Sequence, residues 1–181
     1  MRMLYRARQF WQAISAAPKA QDLELASRWL EPSLLALFLR LQPSEQAHSL
    51  SILRQLSEQG ESEPDLMAGA LLHDVGKVCC PLSVWERIII VLGRAIFPSL
   101  VKKWGRGEPR GWRRPFVVAE RHAVWGAELA AQAGASARTV RLIRCHQEIP
   151  APSAEVESAY SSSFSQEERW LRRLYTLDNQ N

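Results

Sequence analysis

Proline heads one helical-period segment after another in this chain, and that arrangement commits it to helices. Pro32, Pro43 and Pro64 each open a run whose apolar residues return every three or four positions. Proline suits the first turn of a helix, where its missing N–H would have no intrahelical partner anyway. On this pattern helices are predicted over residues 5–17, 23–30, 33–41, from Pro43 to near Gly60, and over 64–74, 116–133, 137–147 and 165–178. Residues 105–115, rich in Gly, Pro and Arg, read as a loop, and 150–165, rich in Pro, Ser and Glu, as a connection. No stretch alternates apolar and polar residues as a half-buried strand would. The predicted fold is all-α, an irregular helical bundle without heptads or internal repeats.

The 181 residues suit one domain, and 46% hydrophobic with 23% charged residues excludes a disordered chain. Cys79, Cys80 and Cys145 form no even framework, and the adjacent pair is too close for an easy mutual bridge, so a reducing cytoplasm is expected. The first twenty residues are basic, but Arg6, Arg8 and Gln9 interrupt any signal-peptide apolar core. The net charge of +4 is unevenly placed: between Glu86 and Arg114 there are eight Lys/Arg against two Glu. Such a patch suits phosphates or anionic lipid, and equally a solvated helix face; no specific nucleic-acid binding is expected.

The residues with the most chemistry are His73-Asp74, which close an apolar, small-residue helix and are followed by Gly76 and Lys77. A neutral imidazole beside a hard carboxylate can share one divalent cation, Gly76 is expected to stop the helix, and Lys77 adds a positive charge. Helical spacing turns two of the other three histidines inward and makes a weaker case for the third. His146 lies three after Ile143 and four after Leu142; His122 shares a face with Val118, Trp125 and Leu129; His48 has Ile52 four after it, although Ser51 and Gln55 share that side. Asp178 follows Leu171 and Leu174 by seven and four, with no Lys or Arg three or four residues before it. Burying that carboxylate is costly without a counter-charge, and a metal would provide one. One histidine on an apolar face is ordinarily a satisfied core residue, and Asp178 alone could be an exposed residue near the chain end. Only the joint pattern points to a metal.

The order His48, His73-Asp74, His122, His146, Asp178 resembles the HD superfamily of metal-dependent phosphohydrolases. The resemblance covers roughly residues 30–181. It is strongest in the His-Asp-x-Gly-Lys segment, in His-x3-Gly-Ala-Glu-Leu at 122–129 and in 143–148. It implies an all-helical HD domain over 31–181, preceded by amphipathic helices in 1–30 and interrupted by an insertion at 81–115. It also implies that His48, His73, Asp74 and Asp178 hold a divalent metal (Mn, Mg, Fe, Zn or Ni). In dinuclear members the equivalents of His122 and His146 hold a second ion bridged through the equivalent of Asp74; in mononuclear members they face the substrate phosphate. The implied activity is hydrolysis of a phosphorylated small molecule, a nucleotide above all, with Asp74 and Lys77 catalytic and Glu128 and Glu148 as partners of His122 and His146. Two other readings belong to different classes: an HD-fold di-iron oxygenase, and a non-catalytic helical signalling domain. Two departures bear on substrate. Members acting on cyclic dinucleotides carry a His-His-Glu run and a Gly-Tyr-Pro motif, whereas here Cys145-His146-Gln147-Glu148 is followed by Pro150-Ala151-Pro152. The insertion at 81–115 is the second.

Within that insertion Trp85, Ile88, Ile89, Leu92 and Ile96 recur at helical spacing among Arg87, Arg94, Lys102 and Lys103. The apolar run is far too short to span a bilayer. Two roles are open: a helical flap that offers Arg and Lys to substrate phosphates, or a peripheral helix on an anionic membrane with Trp85 and Trp104 at the interface. The flap is favoured because the insertion starts four residues after Lys77 and ends seven before His122.

Overall fold

The computed structural model describes residues 17–148 and 165–180. Nine α-helices appear among them: α1 Ala20–Ser27, α2 Pro32–Phe38, α3 Pro43–Glu58, α4 Pro64–Leu72, α5 Val84–Ile96, α6 Pro98–Trp104, α7 Arg114–Gln132, α8 Ala137–Cys145 and α9 Gln166–Gln180. Short 3-10 turns at Val75–Cys79 and Gly111–Arg113 precede α5 and α7, and the described residues contain no strand. The all-α bundle expected from the prolines is therefore the fold, with Pro32, Pro43 and Pro64 each in the first turn of its helix. The predicted helix over 5–17 and the connection over 150–165 lie almost entirely outside the described residues. Among the described residues no helix is long and apolar enough to cross a membrane.

The bundle is built around α4. Every residue from Leu66 to Leu72 is buried, so this helix has no solvent face. It runs between α3 and α8, while α9 closes against both of these and α7 packs on α8. Small residues allow the close approach: a Cβ on Gly69 would stand 3.1 Å from the Leu142 Cβ. Leu50, Leu53, Leu71, Leu142 and Leu174 meet in the same core, each contributing about 2 kcal/mol of hydrophobic stabilisation.

The chain does not leave α4 as expected. Gly76 does not stop the helix by taking a left-handed conformation, as Gly60 (φ 82°) does after α3. The helix already ends at Leu72, with His73 as its C-cap, and Asp74 (φ −93°, ψ 1°) leads into the 3-10 turn. Gly76 is required for a different reason. A Cβ there would lie 1.9 Å from the His122 carbonyl oxygen and 2.6 Å from the Gly126 nitrogen, both backbone atoms of α7. Gly126 answers it, since its own Cβ would lie 2.8 Å from the Gly76 nitrogen. Two glycines thus let the turn after His73-Asp74 rest directly on the backbone of the helix that carries His122.

Residues 84–113 form α5, α6 and the second 3-10 turn, seated on α7. Ile90 joins Leu82, Val118 and Ala119 in a small second core. Arg87 reaches back to the start of α3, bonding Glu45 (3.0 Å), Gln42 (2.6 Å) and Ser44 (3.0 Å). Arg114 ties the other end by pairing with Glu86 and donating to the Pro81 carbonyl at 2.8 Å. Gly76→Ala is expected to destabilise the protein by about 3 kcal/mol or more, because rigid backbone cannot move aside. Urea unfolding would measure it, and a loss below about 1 kcal/mol would show that the turn can lift off α7.

Candidate metal centre

Five elements deliver the predicted site residues to one place. His48 comes from α3, His73 and Asp74 from the end of α4, His122 from the middle of α7, His146 from the C-cap of α8 and Asp178 from α9. The imidazole rings form a chain, with centroids 5.4 Å apart for His48–His73, 5.1 Å for His73–His146 and 5.4 Å for His146–His122. His73, Asp74, His122 and His146 are buried, while His48 and Asp178 form a half-buried edge.

The hydrogen bonds settle which ring nitrogens face the centre. His73 Nδ1 lies 2.9 Å from the Ala70 carbonyl, His122 Nδ1 2.9 Å from that of Val118 and His146 Nδ1 2.7 Å from that of Ile143. A carbonyl only accepts, so each Nδ1 carries the hydrogen and, in the neutral ring, each Nε2 keeps its lone pair. Each helix thereby orients its own histidine, the arrangement that normally fixes metal-ligating imidazoles. Glu128 and Glu148, expected as the partners of His122 and His146, are exposed, and backbone carbonyls have taken that role. The reason is local: a ring at the helix C-cap or folded along its own turn reaches a carbonyl three or four residues back before any side chain.

All three buried Nε2 atoms lack a hydrogen-bond partner among the described residues. They are close to carboxylates nonetheless: His122 Nε2 stands 3.1 Å from Asp74 Oδ1, and His73 Nε2 3.5 Å from Asp74 Oδ2 and 3.4 Å from Asp178 Oδ1. His48 Nε2 is 2.8 Å from Asp178 Oδ1. Two groups, His48-His73-Asp74 and Asp74-His122-His146, have ligand atoms within 4.8 Å of one another and could each hold a metal ion. Asp74 belongs to both. Three orphaned, buried Nε2 atoms beside two carboxylates fit a divalent cation; an ordinary core would leave no such set unsatisfied. Helices α4 and α8 both end here, and the partial negative charge of a helix C-terminus also favours a cation.

The electrostatics agree with this donor set. Burial opposes charge on Asp74, but Lys77, with Nζ 2.6 Å from Oδ2, and His73 hold its carboxyl well below the usual range. Burial also opposes charge on the half-buried Asp178, but His73 and His48 draw its pKa down. Burial would strip the proton from His73, yet the carboxylates of Asp74 and Asp178 win and raise it to about 9. His146 goes the other way: burial and the neighbouring His73 and His122 push it down to about 3, so its ring is neutral near pH 7.

Two neighbours were not singled out from sequence. Glu45 is buried at the start of α3, where burial raises its pKa while Lys77 lowers it; its only sequence signal is a first-turn position three after Gln42. Arg144 joins Arg94 and Lys102 around a cleft of about 590 Å³ whose wall includes Asp178, together with Glu120 and Glu148. Of the cysteines, Cys79 is exposed, Cys80 packs near Leu82 and Cys145 packs at the edge of the main core. Burial raises the pKa of the Cys145 thiol, which is unfavourable for a thiolate ligand. Compared with family models, curated proteins and solved structures, the chain matches none of them.

A pH prediction follows for the metal-free protein. His73 has a folded pKa near 9 against 6.5 for a free imidazole, so its contribution is complete below 6.5 and is lost as pH rises through 9. Asp178, held below its usual 3.8, contributes above that value and loses its contribution as pH falls below it. In chelator, thermal unfolding should therefore show Tm declining between pH 6.5 and 9. An added divalent cation should flatten that decline, since it competes with the proton on His73. A Tm that rises across this interval in chelator would contradict the assigned charge state.

Proposed function

We propose that this protein is a metal-dependent phosphohydrolase of the HD type, which cleaves a phosphate ester or anhydride of nucleotide size with water. The observation that carries the reading is the trio of buried Nε2 atoms that make no hydrogen bond among the described residues and stand beside two ionised carboxylates. Its motif order also resembles that superfamily. His48, His73, Asp74 and Asp178 would hold one divalent cation, and Asp74, His122 and His146 a second in a dinuclear form. When bound, the cation supplies Lewis acidity, lowering the pKa of a coordinated water and drawing charge from a phosphoryl oxygen. The imidazole and carboxylate donors suit Mn, Fe, Ni or Zn better than Mg.

The chain's own residues prepare the rest. Lys77 keeps Asp74 ionised through their 2.6 Å contact and supplies a positive charge to the phosphoryl end. Arg94, Lys102 and Arg144 line the cleft beside Asp178 and receive phosphate oxygens; Glu120 and Glu148 accept from hydroxyl or amino groups elsewhere on the substrate. The cleft volume of about 590 Å³ suits a nucleotide-sized molecule. In hydrolysis the water oxygen bonds to phosphorus, the bond from phosphorus to the leaving oxygen breaks, and that oxygen gains a proton. Free cysteines at positions 79, 80 and 145 suit a reducing cytoplasm.

Elemental analysis of protein purified without chelator, with a phosphate-release screen over nucleotides, tests the reading directly. His73→Ala and Asp74→Ala should lose metal and turnover while staying helical. Asp178→Asn should weaken metal affinity, by competition titration, more than it lowers Tm. His122→Gln or His146→Gln should remove one of two metals if the site is dinuclear, or raise KM with full metal content if the rings face phosphate. Full metal retention by Asp74→Ala after dialysis against a weak chelator would sink the proposal. Tightly bound iron with oxygen-dependent turnover and no phosphate release would replace it by the oxygenase reading. A separate measurement tests the cleft: Arg94→Ala and Arg144→Ala should raise KM roughly tenfold each and change kcat less.

A further inference from the structure

Helix α5 faces the wrong way for an ordinary surface helix. Trp85, Ile89, Leu92 and Ile96 form one stripe at spacings of four, three and four, and this stripe points to solvent. Trp85 is 74% exposed and Ile96 61%. The side turned to the protein holds Ile90 and Gly93, the latter so close that a Cβ would meet Phe116 at 2.6 Å. On the flank, Arg87 is drawn inward to Glu45 and Arg94 lines the cleft. The charges of this helix are thus engaged by other residues or by the cleft, and most of its large apolar residues cover the outside.

The apolar surface continues beyond α5. Phe97 packs edge-on to Trp104 at 6.0 Å, and Trp104 packs on Trp112 at 5.4 Å. Nine of the ten large apolar side chains exposed among the described residues lie between Val84 and Trp112. A concentration of this kind marks an interaction surface, whereas scattered exposed leucines would not. Its rim is cationic: Lys103, Arg106 and Arg113 are exposed, while the two acids within residues 84–113 are ion-paired, Glu86 with Arg114 and Glu108 with Arg110 at 3.1 Å.

We propose that α5, α6 and the 111–113 turn dock on the surface of an anionic lipid bilayer, the apolar stripe entering the acyl boundary and the basic rim meeting the headgroups. Exposed tryptophan, aliphatic stripe and unpaired rim charge are what such an interface requires. A symmetric contact with a second copy would bring the basic rim against itself, which like-charge repulsion opposes. The helix is too short to span the bilayer and lies on it. With α5 so placed, the cleft lined by Arg94 and Lys102 opens beside the membrane surface. The docking does not depend on what the cleft hydrolyses.

Sedimentation of the full chain with phosphatidylglycerol-containing vesicles, against pure phosphatidylcholine, tests this. Binding is expected to the anionic vesicles and to weaken with salt. Leu92→Asn/Ile96→Asn should reduce it by roughly tenfold or more, through loss of buried apolar contact. Lys103→Glu/Arg113→Glu should do so by at least as much, since each basic residue near the surface is worth roughly fivefold. None of the four residues holds the metal centre or lines the cleft, so circular dichroism and metal content should match the unaltered protein. Failure to bind anionic vesicles, or binding that both double variants leave intact, overturns the proposal. Self-association without lipid that Leu92→Asn/Ile96→Asn abolishes also overturns it, and assigns the face to a second copy.

Discussion

Asp74 carries a charge inside the protein, and a buried charge sets conditions on everything around it. Desolvation would protonate an isolated carboxyl there; Lys77, His73 and His122 keep it ionised by surrounding it with cationic or polarisable partners. Those partners come from the same turn and from α7, so the turn must approach α7 closely. Gly76 and Gly126 make that approach, with no side chain on either to hold the backbones apart. The glycines and the electrostatics are one device. Buried ionic clusters of this kind add little stability by themselves, because desolvation offsets their attraction. Their value lies in an array of ligand atoms held in advance, which a cation would complete.

Residues 81–115 present a separate face to each of the two roles weighed from the sequence. One face is anchored through Arg87 on Glu45 and places Arg94 and Lys102 in the wall of the cleft. The other face presents the stripe from Trp85 to Ile96 outward. A helix has enough circumference for both, because residues seven apart, such as Arg87 and Arg94, share a flank while the apolar stripe occupies another. Cleft wall and outward apolar surface are consequently two sides of the same helix.

Much of the site was legible in the spacing of residues. The apolar neighbours of His122, His146 and Asp178 at three, four and seven positions place these side chains on the inward faces of α7, α8 and α9, where the structure has them. The partners of the histidines were not legible. Glu128 and Glu148, six and two residues beyond their histidines, were the expected partners, yet each ring bonds to a carbonyl of its own helix, a choice made by ring rotamer and not by sequence separation. Glu45 was equally hidden, since a first-turn glutamate reads as solvated until Arg87, from a distant segment, buries it.

What the sequence by itself determined is the helical character of the chain, the prolines that open its helices and the inward direction of His122, His146 and Asp178, because these depend on backbone geometry and a local 3.6-residue period. What only the tertiary structure decided is how separate helices meet: that Asp74 is shared by two ligand groups, that Gly76 serves close approach instead of helix termination, and that α5 turns its apolar side outward. A helix's own pattern says which residues are alike. Which face meets protein and which meets solvent is set by the packing of its neighbours.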